Sequence, residues 1–304
     1  MSKHLKLRLR HARARARRRG PSARQAGARR WFEGAGSRRQ ALTAGRREVA
    51  LFATTYLLYD VARWAWAGHL SLARAHARWV IALERSLHIA VEGSVQRALD
   101  SGVPSFLLSN VYLAAQAVVL PAVLIWLYRR SPAVYRQLRS TVVITWLIAT
   151  PIFALYPVAP PRLAGIGIKD MVSHQAVVTL TGQSTLFYNP YAAVPSLHVG
   201  FAFAIGIAAG AALRRGWAKA LALLWGPLVT VAVVATGNHY FFDAVSGLFV
   251  AAVAFAATRA VNRSHASVSA DRLSLPAPTA ARQNRPTVAI PRLVPETSAS
   301  GCQR

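Results

Sequence analysis

Acidic residues and cysteine are both scarce in this chain of 304 residues, and each shortage excludes a class of site. Ten Asp and Glu stand against 37 Lys and Arg. No group of carboxylates along the chain suggests a two-metal site. The single cysteine, Cys302, excludes an intrachain disulfide and a cysteine-rich metal site. We therefore expect neither a metal nor an organic cofactor.

Long apolar stretches dominate what is present. The chain is 54% apolar and 15% charged, with a mean hydropathy of +0.29. Crossing a bilayer takes about 20 apolar residues in a helix. Six stretches qualify, and we predict an all-α, multi-pass membrane protein with a bundle of six transmembrane helices. The predicted spans are Glu48–Ala67, Ser105–Tyr128, Thr141–Val158, Val194–Leu213, Trp217–Thr236 and Phe241–Val261.

Basic residues divide the chain into three parts. Residues 1–47 hold sixteen Lys and Arg against one acid, Glu33, and predict a disordered cytoplasmic tail that anchors topology. An apolar span follows at once, so a nucleic-acid partner is not expected. Residues 48–262 form the predicted membrane domain. Residues 263–304, rich in Ser, Pro, Ala and Arg, predict a disordered cytoplasmic tail.

Short basic loops set the predicted orientation in the cell membrane. Cytoplasmic loops are enriched in Lys and Arg, which puts both termini in the cytoplasm and the segments 68–104, 159–193 and 237–240 outside. The first outer segment has apolar residues at helical spacing and predicts an interfacial amphipathic helix. The basic loop residues are Arg129, Arg130, Arg136, Arg139, Arg214, Arg215 and Lys219.

Two histidines and an arginine are predicted to reach the outer membrane surface. His198 begins the fourth span, His239 begins the sixth, and Arg162 follows the third. Asp243 lies four residues after His239, on the same helix face, so its carboxylate can fix the imidazole tautomer. The other ring nitrogen is then available as a nucleophile. Either histidine alone could equally be a packing group between helices.

The segment before His198 predicts an anion site. Pro195 suits the first turn of a helix, where the N–H groups of Ser196, Leu197 and His198 would face a phosphate. The side chain of Ser196 could contact that phosphate or simply cap the helix. Arg162 would supply paired donors to phosphate oxygens, and His198 could protonate a departing oxygen. Together these are the parts of a phosphoryl-transfer site.

Two segments carry a family resemblance. YNPYAAVPSLH at 188–198 and GNHYFFDAVSG at 237–247 resemble the second and third motifs of the type-2 phosphatidic acid phosphatase superfamily, in the branch of inositol phosphorylceramide synthases and inositol phosphotransferases. The resemblance covers residues 46–262. It implies that His239 attacks phosphorus to form a phosphohistidine, that Asp243 orients His239, and that His198 is the general acid.

Two departures from the family pattern matter. The first motif is reduced to APPR at 159–162, and the Ser-Arg of the third motif falls at Ala232 and Val233. One phosphate-binding arginine is therefore missing. Asn238, Ser196 or an arginine of the first outer segment could replace it, and Arg162 remains the candidate phosphate ligand.

The sequence thus predicts a membrane lipid phosphotransferase that acts on a phosphate-bearing headgroup, with inositol phosphate as one candidate. A lipid phosphate phosphatase of the same superfamily is the alternative, because water can replace the acceptor alcohol. Two alternatives come from other classes: an anionic-solute transporter, and a membrane scaffold whose basic N-terminal tail recruits partners. Asp60 and Arg63 are interpreted as a structural ion pair or a headgroup contact. The oligomeric state and the lipid stay open.

Overall fold

A computed structural model describes residues 43, 45–61, 70–175 and 191–274 of the chain, with side chains to 264 in its last part. Arg63 and the first three residues of the motif at 188–198 lie outside the described residues. The described part is helical, with one isolated parallel bridge between Val158 and Ala192. The helices are α1 (45–61), α2 (Leu70–Ser86), α3 (Glu92–Leu99), α4 (Gly102–Arg130), α5 (Pro132–Leu155), α6 (Met171–Gln175), α7 (Leu197–Ala212), α8 (Gly216–Ala235) and α9 (Phe241–Ser274).

The helix lengths confirm an all-helical, multi-pass membrane architecture. Helices α4, α5, α8 and α9 contain stretches long and apolar enough to cross a membrane, and α7 is a shorter apolar helix. Helix α5 begins at Pro132, nine residues before the predicted span, because proline is tolerated at the first helical position. Helix α4 contains a π-helical turn at Ala115–Val119.

Packing explains why these helices stay together. Helix α7 is built largely of Ala and Gly, and these small residues let neighbouring backbones approach. A methyl group added at Gly206 would lie 2.5 Å from the carbonyl oxygen of Ala222 in α8, which shows how near the two helices are. Large apolar residues on α8 and α9, among them Leu221, Leu224 and Phe249, are exposed, as expected for side chains that face hydrocarbon.

The segment between the first two predicted spans forms two helices. Helices α2 and α3 are separated by a turn in which His88 has a φ of 59°. The predicted amphipathic pattern is present, but its polar face is only partly exposed, since Glu84 and Glu92 are buried. An interfacial amphipathic helix is expected to expose its charged residues, and the burial of these two glutamates differs from that expectation.

The last helix continues beyond its predicted end. Helix α9 runs to Ser274, whereas the span was expected to stop at Val261 and residues from 263 to be disordered. The extra turns carry good helix formers such as Ala, so the helix can continue once the apolar stretch has ended. By internal contacts the chain divides into residues 1–260 and 261–304. Of the second unit, only the helical residues to 274 are described.

One end of the bundle gathers the segments that carry the predicted motifs. We define this site end by four helix termini: Leu155, Leu197, Ala235 and Phe241. Three backbone hydrogen bonds tie its loops together: Val158 N to Tyr191 O at 2.8 Å, Arg162 N to Gly237 O at 3.0 Å and Ser196 N to Asp243 O at 3.0 Å. The loops after α5, before α7 and before α9 therefore form one hydrogen-bonded unit.

Candidate active site

His239 lies in the tight turn that joins α8 to α9. Gly237 opens this turn with a φ of +71°, a conformation that favours glycine, and an added Cβ there would lie 2.7 Å from Ile168. The Nδ1 atom of His239 is 2.9 Å from the carbonyl oxygen of Ala193. Because a carbonyl oxygen only accepts, Nδ1 carries the proton in the neutral ring. The lone pair is then on Nε2, the atom that could attack phosphorus.

Asp243 lies beside the imidazole and at the start of α9. Its Oδ2 atom is 3.4 Å from Nδ1 of His239 and accepts a 2.9 Å hydrogen bond from the backbone N–H of Tyr240. The side chain is fully buried. Asp243 therefore caps the helix while it places a carboxylate near the ring. The direct orienting hydrogen bond to His239 comes from Ala193, a backbone partner that the sequence did not indicate.

His198, the second residue of α7, faces the same space. The centroid of its ring lies 5.8 Å from that of His239, with 56° between the planes. On another side it stacks on Tyr112 of α4, at 4.4 Å and 21°. The two histidines that the sequence singled out are thus brought together. Tyr112, which the sequence did not single out, holds one of them.

Ser196 is the N-cap of α7. Its Oγ accepts a 3.4 Å hydrogen bond from the N–H of Val199, and its own N–H donates to the carbonyl of Asp243. The expectation that the N–H of Ser196 would face an anion is therefore wrong. The amides of Leu197 and His198 remain in the first turn, where an α-helix provides no acceptor of its own. For the side chain of Ser196, the described contacts favour helix capping over contact with a phosphate.

Arg162 lies directly behind the turn that carries His239. Its side chain is 7% exposed, and its Nε donates to Oδ2 of Asp170 at 3.3 Å. Its backbone N–H donates to the carbonyl of Gly237 at 3.0 Å. The loop of Arg162 and the histidine turn are thereby locked together. A buried guanidinium held in this way can contribute a fixed positive charge to the site.

Burial and that guanidinium set the charge state of the turn histidine. Burial lowers the pKa of His239 from its ordinary value to about 4; the hydrogen bond to Ala193 acts the other way, and the positive charge of Arg162 lowers the pKa further. The ring is therefore neutral at physiological pH. A neutral imidazole with a lone pair on Nε2 is the form required of a nucleophile.

Asn238 plays a more local part. Its Nδ2 donates to Oγ1 of Thr236 at 3.0 Å, and its backbone N–H donates to the carbonyl of Val233. Val233 and Ala232 stand where the family pattern has Ser-Arg, and both are fully buried apolar residues. Among the arginines of the first outer segment, Arg74 contacts the loop that carries Arg162, since its Nε donates to the carbonyl of Leu163 at 2.7 Å.

Two glutamates of the first outer segment also reach the site end. Oε1 of Glu92 accepts a 2.8 Å hydrogen bond from the N–H of Phe241, and Oε1 of Glu84 accepts a 2.7 Å hydrogen bond from the N–H of Phe242. Sequence reasoning missed them. The available signal was the concentration of three of the ten acids between residues 84 and 100. Among the described residues, no group of three His, Cys, Asp or Glu has the arrangement of a metal site.

Comparison with known families agrees with this geometry. The sequence model of the PAP2 superfamily matches residues 78–257, more than half of the chain. The chain belongs to the PAP2 superfamily. This membership suggests phosphatase or phosphotransferase chemistry. No curated protein and no solved structure matches the chain significantly.

Proposed function

We propose that the protein is a membrane lipid phosphotransferase that works through a phosphohistidine on His239. The observation that carries this proposal is the geometry of the turn histidine. Nδ1 of His239 is engaged by Ala193, which leaves Nε2 as the nucleophile, and the ring lies 5.8 Å from His198. Membership of the PAP2 superfamily supports the same chemistry. The substrate class follows from the membrane location, where phosphate-bearing lipid headgroups are at hand.

The first step transfers the phosphoryl group to the protein. Nε2 of His239 attacks phosphorus, and the bond from phosphorus to the leaving oxygen breaks as the P–N bond forms. His198, whose protonated form the negative charge of a bound phosphate would favour, gives its proton to that oxygen, which departs as an alcohol. The imidazole becomes cationic because Nδ1 keeps its proton. Asp243, with Oδ2 at 3.4 Å from Nδ1, stabilises that positive charge.

The second step regenerates the histidine. The hydroxyl of an acceptor alcohol or of water attacks phosphorus while neutral His198 takes its proton. The P–N bond breaks, and its electron pair returns to Nε2 of His239. Arg162 would balance the negative charge on the equatorial phosphate oxygens in both steps. Transfer of the headgroup phosphate, inositol phosphate among the candidates, to an alcohol gives a phosphotransferase, whereas transfer of the phosphoryl group to water gives a phosphatase.

We place the site on the extracytoplasmic side, with both termini in the cytoplasm. The basic loops between the second and third and between the fourth and fifth predicted spans support this orientation, because Lys and Arg mark cytoplasmic loops. Cys302 makes the proposal testable, since it is the only cysteine. A membrane-impermeant maleimide should label Cys302 in lysed cells and leave it unlabelled in intact cells. Labelling in intact cells would reverse the orientation.

Product analysis tests the function itself. The purified protein and His239→Ala are incubated with vesicles of phosphatidylcholine, phosphatidylinositol and phosphatidic acid, with and without inositol and diacylglycerol. Mass spectrometry then follows lipids and water-soluble products. A new phosphodiester made only by the unaltered protein supports the phosphotransferase, and free phosphate alone supports the phosphatase. Identical products from both proteins would exclude either enzyme on these lipids and favour a binding or transport role.

An acid-labile phosphoryl-enzyme gives a second readout. Brief incubation with vesicles that carry ³²P in the headgroup phosphate, followed by alkaline denaturation, should leave label on the unaltered protein. His239→Ala should retain none, because it lacks the attacking nitrogen. His198→Ala is the matched comparison: it keeps the nucleophile and loses the group that protonates the leaving oxygen. We expect it to form label slowly.

A further inference from the structure

Three carboxylates bind three successive backbone amides at the start of α9. Asp243 accepts from Tyr240 N at 2.9 Å, Glu92 accepts from Phe241 N at 2.8 Å, and Glu84 accepts from Phe242 N at 2.7 Å. A helix leaves its first amides without intrahelical acceptors, and one carboxylate is the usual cap. Here the carboxylates come from three different helices. The start of α9 is therefore fixed to α2 and α3 as well as to itself.

Burial of the two glutamates costs free energy. Glu84 is 1% exposed and Glu92 is 5% exposed. The ion pairs of the described residues involve other carboxylates, namely Glu48, Asp100, Asp170 and Asp243. Compensation comes instead from the backbone amides and from the positive end of the α9 dipole. Hydrogen bonding alone could have been supplied by Ser or Asn at lower cost.

The same helix that carries Glu84 also holds the loop of Arg162. The carbonyl of Ala73 accepts from Ala159 N at 3.0 Å, and Arg74 donates to Leu163 O at 2.7 Å. Helix α2 is thus bonded at one end to the loop that carries Arg162 and at the other to the first turn of the helix that follows His239. The distance between Arg162 and His239 therefore depends on the position of α2.

We propose that Glu84 and Glu92 are positioning residues for phosphoryl transfer: they fix the first turn of α9 and, through it, the place of His239 relative to Arg162. The inference rests on the proposed function for its kinetic readout. Neither glutamate touches the reacting atoms. Their removal should lower the rate of the chemical step more than it weakens substrate binding. Displacement of a reacting group by about 1 Å can reduce the rate on the order of 100-fold.

A pH dependence follows from the burial of Glu84. Burial first, and then the charges of Glu92 and Asp243 and the hydrogen bond with Glu92, raise the pKa of Glu84 to about 8, while the Phe242 amide acts the other way. Glu92 from α3, and Asp243 and Tyr240 at the start of α9, are the titratable groups that face it. Because the folded pKa is raised, stability supplied by protonated Glu84 is present at low pH and is lost as the pH rises through about 8.

The test compares three substitutions on the mixed vesicles described above. Glu84→Gln keeps an acceptor for Phe242 N and a donor for Glu92, so it should retain activity at pH 7. In the unaltered protein we expect activity to fall as the pH rises above about 8, and Glu84→Gln should remove that fall. Glu84→Ala should lower kcat at least about 10-fold with KM within a factor of two. Asp100→Asn is the matched control, because Asp100 pairs with the exposed Lys169, and it should change neither constant.

Deuterium exchange gives a readout that needs no activity. Peptides covering residues 237–250 should exchange faster in Glu84→Ala and Glu92→Ala than in the unaltered protein, and Asp100→Asn should leave them unchanged. An unaltered alkaline limb in Glu84→Gln, or equal exchange and equal kcat in the alanine variants, would overturn the inference. If the unaltered protein makes no product, the proposed function fails, and the exchange experiment still decides whether the glutamates fix the turn. Glu84→Gln keeps the test decisive should the alanine variants fail to fold.

Discussion

The close crossing of α7 and α9 predicts that one added methyl group lowers both the catalytic rate and the stability. In Gly247→Ala the new Cβ would meet the backbone of Ser196: its carbonyl oxygen, its carbonyl carbon at 2.8 Å and its nitrogen at 3.0 Å. Ordinary van der Waals contacts of a Cβ begin near 3.4 Å. The neighbours are backbone atoms, so no side chain can turn away. The two helices must separate by more than half an ångström.

The structure gives both a stability and a rate consequence. Overpacking of this kind costs about 1–3 kcal/mol. Replacing glycine by alanine inside a helix returns about 1 kcal/mol, so the net destabilisation is modest. The separation acts directly between the helix that carries His198 and the helix that follows His239. Because about 1 Å of misplacement reduces a rate on the order of 100-fold, we expect kcat to fall by about 10-fold.

Two measurements on the detergent-purified protein check this reasoning. Thermal unfolding should show a Tm lower by a few degrees, and product formation on the mixed vesicles should show the fall in kcat. Gly216→Ala is the control: a Cβ at Gly216 meets nothing within 4 Å, so this variant should leave kcat unchanged and should not lower Tm. Unchanged activity in Gly247→Ala would refute the idea that the α7–α9 distance sets the separation of the histidines.

Three further predictions concern the groups around the histidines. Arg162→Lys should raise KM and lower kcat, because a lysine cannot reproduce the planar donors that Arg162 offers to Asp170 and, in the proposed mechanism, to phosphate. Steady-state kinetics would contradict this if both constants stayed unchanged. Tyr112→Leu should lower kcat about 10-fold, because it releases the stacked ring of His198. Tyr112→Phe keeps an aromatic ring and should have a kcat near that of the unaltered protein. Equal rates in the two variants would argue against stacking. The acid limb of kcat/KM should lie near pH 4 and not near 6.5, because burial lowers the pKa of His239. The stability supplied by its neutral ring should decline as the pH falls from about 6.5 to about 4.

The histidines could be found from the sequence because their spacing is local. His239 and Asp243 are one helical turn apart, and His198 follows a proline and a capping residue, so each pattern fits within a dozen residues. The apolar spans are equally local, which is why the helical membrane architecture could be predicted. Their ends were less predictable. Helix α5 begins at Pro132 inside a basic stretch, and α9 continues to Ser274 after its apolar residues end.

The supporting contacts could not be predicted, because they join distant parts of the chain. Glu92 and Phe241 are 149 residues apart, and Glu84 and Phe242 are 158 apart. On an amphipathic helix, a glutamate among apolar residues is typical of a solvent-facing position. The backbone partner of His239 was hidden for another reason. A carbonyl group such as that of Ala193 exists at every residue, so no residue type indicates it.

The two helix N-termini at the site have different uses, and this difference indicates where a phosphate would bind. At α9 the amides of Tyr240, Phe241 and Phe242 already donate to carboxyl oxygens, so these amides are not free to bind an anion. A phosphate there would meet three carboxyl groups. At α7 the cap is the neutral Ser196, and the first-turn amides and His198 follow it. We therefore expect phosphate to bind against the start of α7, opposite Nε2 of His239. The start of α9, whose amides already donate to carboxyl oxygens, would then offer the anion no competing site.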